Sequence, residues 1–297
     1  MSENPGDYLL DSAWLRRSFE RASATYDAAA VLQAEVREAL LGRLQLAQLE
    51  PGVVLDAGAA TGAAARALKR RYPRAHVLAL DSSRGMLRVA ARRRSWIRPF
   101  ALVCADAARL PLADASVDLV FSNLLLPWCE PDLLLAELRR VLAPRGLLCF
   151  TSFGPDTLRE LRGAWAQVDA HSRVSRFLDM HDIGDALVRL GFASPVLDVE
   201  HYTLSYPGVR RLAADLKAMG TRNATAGRPR GLTSPRRFSA MEAAYEAYRR
   251  DGRIPATCEV VFAHAWAPLE PPTHASASLG AVPLQALRRE LVSRRRK

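Results

Sequence analysis

"VVLDAGAATG", residues 53–62, decides how the rest of the chain is read. Val53, Val54 and Leu55 suit a buried strand, yet the strand ends on a carboxylate, Asp56, and the next six side chains are small. "AAARALKRRY" then follows Gly62 with good helix-forming residues. A strand that enters such a turn and continues into a helix brings backbone N–H groups close to whatever lies over it. A dinucleotide site would show G-x-G-x-x-G. Here Gly58 and Gly62 flank Ala60, so the turn alone is compatible with a tight structural corner as well as with a ligand cradle. Alanine at position 60 costs little if its backbone has negative φ and is strained if φ is positive.

Outward from this turn, strands and helices alternate. Apolar runs at 53–57, 76–81, 100–105, 117–122 and 146–153 predict strands, with helices expected at 62–72, 83–93 and 131–143. This pattern predicts an α/β, doubly wound, mostly parallel sheet, with ligands at the carboxyl ends of the strands. Residues 11–49 read as helical: Val31, Leu32, Val36, Leu40, Leu41 and Leu44 recur at helical spacing, while Gln33, Glu35, Arg37 and Glu38 fall mostly on the other face. The expected organisation is a helical lid over 1–50 and a catalytic-type domain over 51–267. Within that domain, cap insertions are expected at about 155–178 and 207–255, with further strands near 196–204 and 258–266. Residues 268–297 read as a flexible basic tail.

Two more carboxylates bear on the turn. Asp81 ends the second strand, where a carboxylate can accept both hydroxyls of a ribose. Asp106 follows the third, where it can accept from an adenine amino group while Leu110 flanks the ring. Any one of these can simply cap a turn. Three at successive strand ends favour a ribose–adenine ligand without a pyrophosphate, and S-adenosylmethionine fits that description.

Bulk properties set outer limits. The chain has 297 residues, 49% hydrophobic, with a formal net charge of +11. No apolar run approaches the length of a membrane span, and "MSENPGDYLL" is not a secretory signal, so a cytoplasmic location is expected. Cys104, Cys129, Cys149 and Cys258 lack metal-ligand spacing, as do the six histidines, and no metal is expected. The terminal "ALRRELVSRRRK" holds six cations against one anion. It is compatible with a solvated tail or with attraction to an acidic partner, and no membrane partner is indicated.

The motifs "LDAGAATG", "ALDSSRGML", "ADAARLPLADASVDLVFSN" and "LRRVLAPRGLLCFTSFG" together resemble those of class I S-adenosylmethionine-dependent methyltransferases, over about residues 50–153. That resemblance implies a Rossmann-like seven-stranded sheet. It places Asp56, Gly58, Ala60 and Gly62 near the methionine end of the cofactor, Asp81 at the ribose and Asp106 at the adenine. Ala107 and Leu110 fall near the base, and Ser122 or Asn123 near the methionyl moiety. The family usually has glycine where this chain has Ala60.

The flanks narrow the resemblance. "SFERASATYDAAAVLQ", "NLLLPWCE", "FTSFGPDTLRELRGAW", "SRFLDMHDI", "LKAMGTRNATAGRPRGL" and "PATCEVVFAHAW" are similar to the malonyl-acyl-carrier-protein O-methyltransferases of biotin synthesis, over roughly residues 13–267. This implies methyl transfer from S-adenosylmethionine to the free carboxylate of a malonyl thioester, on carrier protein or CoA, with S-adenosylhomocysteine as product and no metal. Such a carboxylate is ionised at neutral pH and needs no general base. By motif match Arg176 and Lys217 are candidates to clamp it, Tyr26 to close over cofactor or acceptor, and Trp128 to line the acceptor pocket. The expected partner is an acidic acyl carrier protein, met by Arg210, Arg211, Arg222, Arg228, Arg230, Arg236 and Arg237 in the cap. A cofactor-binding assembly factor or pseudoenzyme without methyl transfer stays open, as does a methyltransferase acting on another small carboxylate or on RNA. No dedicated RNA module is recognisable, so nucleic acid is not the favoured partner.

Overall fold

A computed structural model describes residues 10–168, 173–175, 177–221, 223–225, 228, 231 and 233–269. Seven strands form one sheet: β1 Val53–Ala57, β2 His76–Asp81, β3 Ala101–Cys104, β4 Val117–Ser122, β5 Leu142–Phe153, β6 Ala193–Tyr206 and β7 Ile254–Trp266. Their order is β3-β2-β1-β4-β5-β7-β6. The first five run parallel, whereas β7 is antiparallel to both β5 and β6. The doubly wound, mostly parallel sheet expected from the alternation is therefore present, with its order reversing beside β1.

Alternation within each strand explains the two-sided core. Val54, Val77, Leu119 and Phe121 face one side, where they pack with α3 (Val31–Arg43) and α4 (Ala63–Arg71). Leu55, Leu80, Val120 and Leu148 face the other, against α6 (Pro131–Val141) and α8 (Met180–Arg189). Side chains mark several helix starts: Ser83 Oγ accepts from Met86 N ahead of α5 (Arg84–Ala91), and Glu130 caps α6 just before Pro131. Asp118 accepts from the N–H groups of Gly52 and Val53 at 2.8 and 2.9 Å, which fixes where β1 begins.

The N-terminal stretch forms α1 (Ser12–Ala22), α2 (Tyr26–Ala29) and α3. Leu32, Val36, Leu40, Leu41 and Leu44 join the same core as β1, as the periodicity implied. Two positions differ. Val31 is exposed, and Gln33, assigned to the outer face, is buried. The solvent face of α3 is the stripe Val31, Glu35, Glu38 and Gly42, and Gln33 falls on the opposite, buried face beside Val36 and Leu40.

In the stretches expected to form a cap lie α7 (Arg159–Ala166), α9 (Val209–Met219) and α10 (Pro235–Tyr245). They have a small core of their own, in which Trp165, Leu212, Met241 and Tyr245 meet Tyr206 and Ile254 at the ends of β6 and β7. Cys149 and Cys258 are buried thiols, Cys129 is half-buried and Cys104 is exposed. Among the described residues, no helix is long and apolar enough to cross a membrane. The tail from residue 270 lies outside the described residues.

Candidate active site

At the carboxyl end of β1 the chain turns through Gly58, Ala60 and Gly62 with φ of 75°, 45° and 77°. Two of these positions require glycine. A Cβ on Gly58 would lie 3.0 Å from Leu125 Cδ1, and one on Gly62 would lie 2.8 Å from the Ala90 Cβ. Ala60 therefore occupies the left-handed region that strains an L-residue. It is held there by its own N–H, which donates to Asp81 Oδ2 at 2.9 Å.

A cleft of about 490 Å³ opens over this turn, lined by Tyr26, Gln33, Arg37, Asp56, Gly58, Ala60, Thr61 and Asn123 among others. Asp56 is buried at its floor, and its Oδ2 has no hydrogen-bond partner. Burial pushes its carboxyl up to about 7, against a bond from the Ala65 N–H that favours the charged form. Asp81 receives N–H bonds from Ala60 and Ser83, one on each oxygen, yet burial still raises its pKa. Each oxygen keeps a lone pair for a hydroxyl donor.

Asp106 stands exposed beyond β3, its Oδ1 accepting from Ala108 N at 2.9 Å. It does not line the cleft, but its charge and that of Asp81 both act on the Cys129 thiol, which burial pushes up to about 12. Asp81, like Asp106, is not among the residues that line the cleft, and its charge acts on Asp56 as well as on the Cys129 thiol. Ala107 and Leu110 are buried and pack into the core with α6. Ser122 turns away from the cleft and donates to the Ala57 carbonyl at 3.0 Å, whereas Asn123 lines it.

The N-terminal helices are fastened over this opening. Glu20 Oε2 accepts from Ser83 Oγ and Gly85 N, both at 2.7 Å. Asp27 accepts from Thr61 Oγ1 at 2.7 Å and pairs with Arg93. Asn123 Nδ2 donates to the Gln33 carbonyl at 2.9 Å, while its Oδ1 accepts from Thr151 Oγ1. On the cap side, Ser18 Oγ donates to the Gly220 carbonyl and Thr25 Oγ1 to the Ala218 carbonyl.

Beside the cleft lies a larger hollow of about 940 Å³. Its walls include Leu32, Trp128, Phe153, Phe177, Leu204, Leu212, Leu216 and Met219, with Arg173, Thr221 and Asn223 as polar members. Phe153 and Phe177 meet at 5.4 Å between ring centroids, and Trp128 meets Phe19 edge-on at 5.7 Å. Gln33 lines both spaces.

Tyr26 is half-buried in the cleft wall, where desolvation raises its phenol pKa and keeps it neutral. Lys217 is exposed on α9 and is absent from the walls of both spaces. Arg176 lies outside the described residues. The sequence reading passed over Arg173, a cation in the wall of the larger hollow, and over Arg37 and Gln33 in the cleft. The latter two were assigned to the solvent face of α3 as polar residues, although they lie opposite its exposed stripe of Val31, Glu35, Glu38 and Gly42.

Residues 55–150 match the family model described as a methyltransferase domain. The chain is 53% identical over 268 residues to the malonyl-acyl-carrier-protein O-methyltransferase of Methylovorus sp. (strain MP688), covering 88% of this chain and 90% of that one. It is 51% identical over 274 residues to the enzyme of the same name from Laribacter hongkongensis (strain HLHK9), covering 89% and 92%. The chain belongs to the malonyl-acyl-carrier-protein O-methyltransferase family.

Solved structures agree on the fold. YcgJ of Bacillus subtilis superposes with a TM-score of 0.56 at 14% identity, over 78% of this chain and 98% of its own. Phosphoethanolamine N-methyltransferase 2 of Haemonchus contortus, in complex with S-adenosyl-L-methionine, gives 0.51 at 20% identity, over 84% of this chain and 57% of its own. As a malonyl-acyl-carrier-protein O-methyltransferase, the chain is an S-adenosylmethionine-dependent enzyme, and its cleft fits that cofactor. The unpaired buried oxygen of Asp56 calls for a donor or a cation, which a methionyl ammonium provides. Asp81 can still accept from two hydroxyls.

Proposed function

We propose that this chain esterifies the free carboxylate of a malonyl thioester with the methyl group of S-adenosylmethionine, an early step of biotin synthesis. We assign delivery of the thioester to an acidic acyl carrier protein. The observation that carries this reading is the meeting of a carboxylate-lined polar cleft and an apolar hollow at one wall, Gln33. One space suits a polar, cationic methyl donor and the other the uncharged length of a thioester.

When bound, the cofactor supplies an electrophilic methyl group on a sulfonium. Asp56 would hold its methionyl end, with Gly58, Ala60 and Gly62 against it and Asn123 alongside; Asp81 would hold the ribose and Asp106 the adenine. The acceptor carboxylate is already ionised, so the protein's task is to exclude water and hold an oxygen about 3 Å from the methyl carbon. Tyr26 and the tethered N-terminal helices cover the cleft, and the apolar walls of the hollow keep water from the acceptor side. Arg176 is assigned to acceptor handling by motif match and Arg173 is a further cation in the hollow wall, whereas Lys217 lies outside both walls and is not retained as a clamp. A very strong charge clamp would stabilise the anionic reactant more than the transition state, in which that charge is being consumed.

The test is release of S-adenosylhomocysteine from purified protein supplied with malonyl carrier protein. Restored growth without biotin in a bacterium lacking its own malonyl methyltransferase is the physiological counterpart. Asp81→Ala removes two charge-assisted hydrogen bonds and should weaken cofactor binding about a hundredfold or more by calorimetry. Unchanged affinity in that variant would overturn the assignment of the ribose site.

A further inference from the structure

Gln33 is a polar side chain at 9% exposure in the wall between cleft and hollow, with its Oε1 fully buried and unpartnered. A buried polar atom without a partner carries an uncompensated desolvation cost, which a bound ligand can relieve by completing the bond. The backbone at this position is fixed. The Gln33 carbonyl accepts from Asn123 Nδ2 at 2.9 Å, and Asn123 Oδ1 in turn accepts from Thr151 Oγ1 at 3.0 Å on the sheet. The chain of bonds from Thr151 on β5 through Asn123, just past β4, fixes the backbone from which the side chain enters the wall shared by the two spaces.

Building on the reaction proposed above, we infer that the Gln33 carboxamide is the group that orients the acceptor carboxylate for attack. The two ends of a carboxamide exchange by a half-turn about its last bond, so the same position can present an N–H donor. A malonyl carboxylate has two equivalent oxygens. Gln33 Nε2–H donates to one, which turns the other toward the methyl group in the adjoining cleft. The donor is neutral. It fixes direction without a full countercharge, and so loses little when the carboxylate becomes an ester. Arg37, also in the cleft wall, lies one turn further along α3.

The variants Gln33→Leu and Gln33→Glu separate this role from a packing role. In Gln33→Leu, KM for malonyl carrier protein should rise roughly tenfold to a hundredfold, while S-adenosylhomocysteine affinity by calorimetry stays within about twofold. Gln33→Glu keeps the shape but sets a carboxylate against the acceptor carboxylate. Its activity should fall further at pH 8 and recover relative to the parent as the pH drops, because a protonated glutamate again offers a donor. Overturning results are an unchanged acceptor KM in Gln33→Leu, or a flat ratio of Gln33→Glu to parent activity across pH. Should Gln33→Leu fail to fold, the pH ratio of the isosteric variant decides alone. Parent protein without turnover on any malonyl thioester would sink the reaction itself; parent turnover with an unaltered acceptor KM would sink only the assignment to Gln33.

Discussion

Asp56 combines burial, an unsatisfied oxygen and a carboxyl raised to about 7 from an ordinary 3.8. A raised carboxyl means that the folded protein retains a proton the unfolded chain has lost. The resulting contribution to stability is complete below about pH 4 and is gone once the pH passes about 7. With the methionyl end at Asp56 as proposed, cofactor binding would run the other way, since a cation prefers the ionised form. Affinity for S-adenosylmethionine should therefore climb by up to about tenfold per pH unit below pH 7 and level off above it. Asp56→Asn should bind weakly with a flat profile between pH 5 and 8; calorimetry across that range checks both. Ala60 is a second residue at which local chemistry was readable but its outcome was not. The sequence posed the question of its φ, and only the bond from its N–H to Asp81, across 21 positions, explains why the strained value of 45° is tolerated.

Among the elements, α1 is held to the mouth of the cleft chiefly by Glu20. Its carboxylate accepts from Ser83 Oγ and Gly85 N at the start of α5, and these bonds, the Gly85 one foremost, hold its pKa below the usual glutamate range. That contribution is present above about pH 4.5 and fades as the pH falls below it. Glu20→Ala should cost about 1–2 kcal/mol in urea unfolding and make the first helix more susceptible to limited proteolysis. The parallel strands and their crossover helices were legible because each is a short apolar run between turn residues. β6 was less so: expected near 196–204, it spans Ala193–Tyr206, since an edge strand with partly exposed residues lacks the apolar contrast that marks its ends. The three acidic strand ends were legible for the same reason as the strands. The wall residues of α3 were not, because Gln33 and Arg37 are polar side chains on the face opposite the exposed stripe of Val31, Glu35, Glu38 and Gly42, where polarity alone argues for solvent.

Across the whole molecule, the cap arginines carry less free charge than their number implies. Arg210 pairs with Glu242, Arg211 with Asp215 and Arg228 with Asp11. Arg222 and Arg230 lie outside the described residues. Arg236 and Arg237 are exposed on α10. Reversing that pair to Glu should lower kcat/KM severalfold for a carrier-borne substrate at low salt and leave a CoA thioester nearly unaffected. Parallel kinetics on the two thioesters check this. The apolar hollow has a consequence of its own. An ester is greasier than the anion from which it is made, so walls of leucine and phenylalanine retain what the reaction yields better than what enters. With the thioester in that hollow as proposed, conversion would be drawn forward inside the protein and unloading should be the slow stroke of the cycle, seen as a burst of ester ahead of steady turnover.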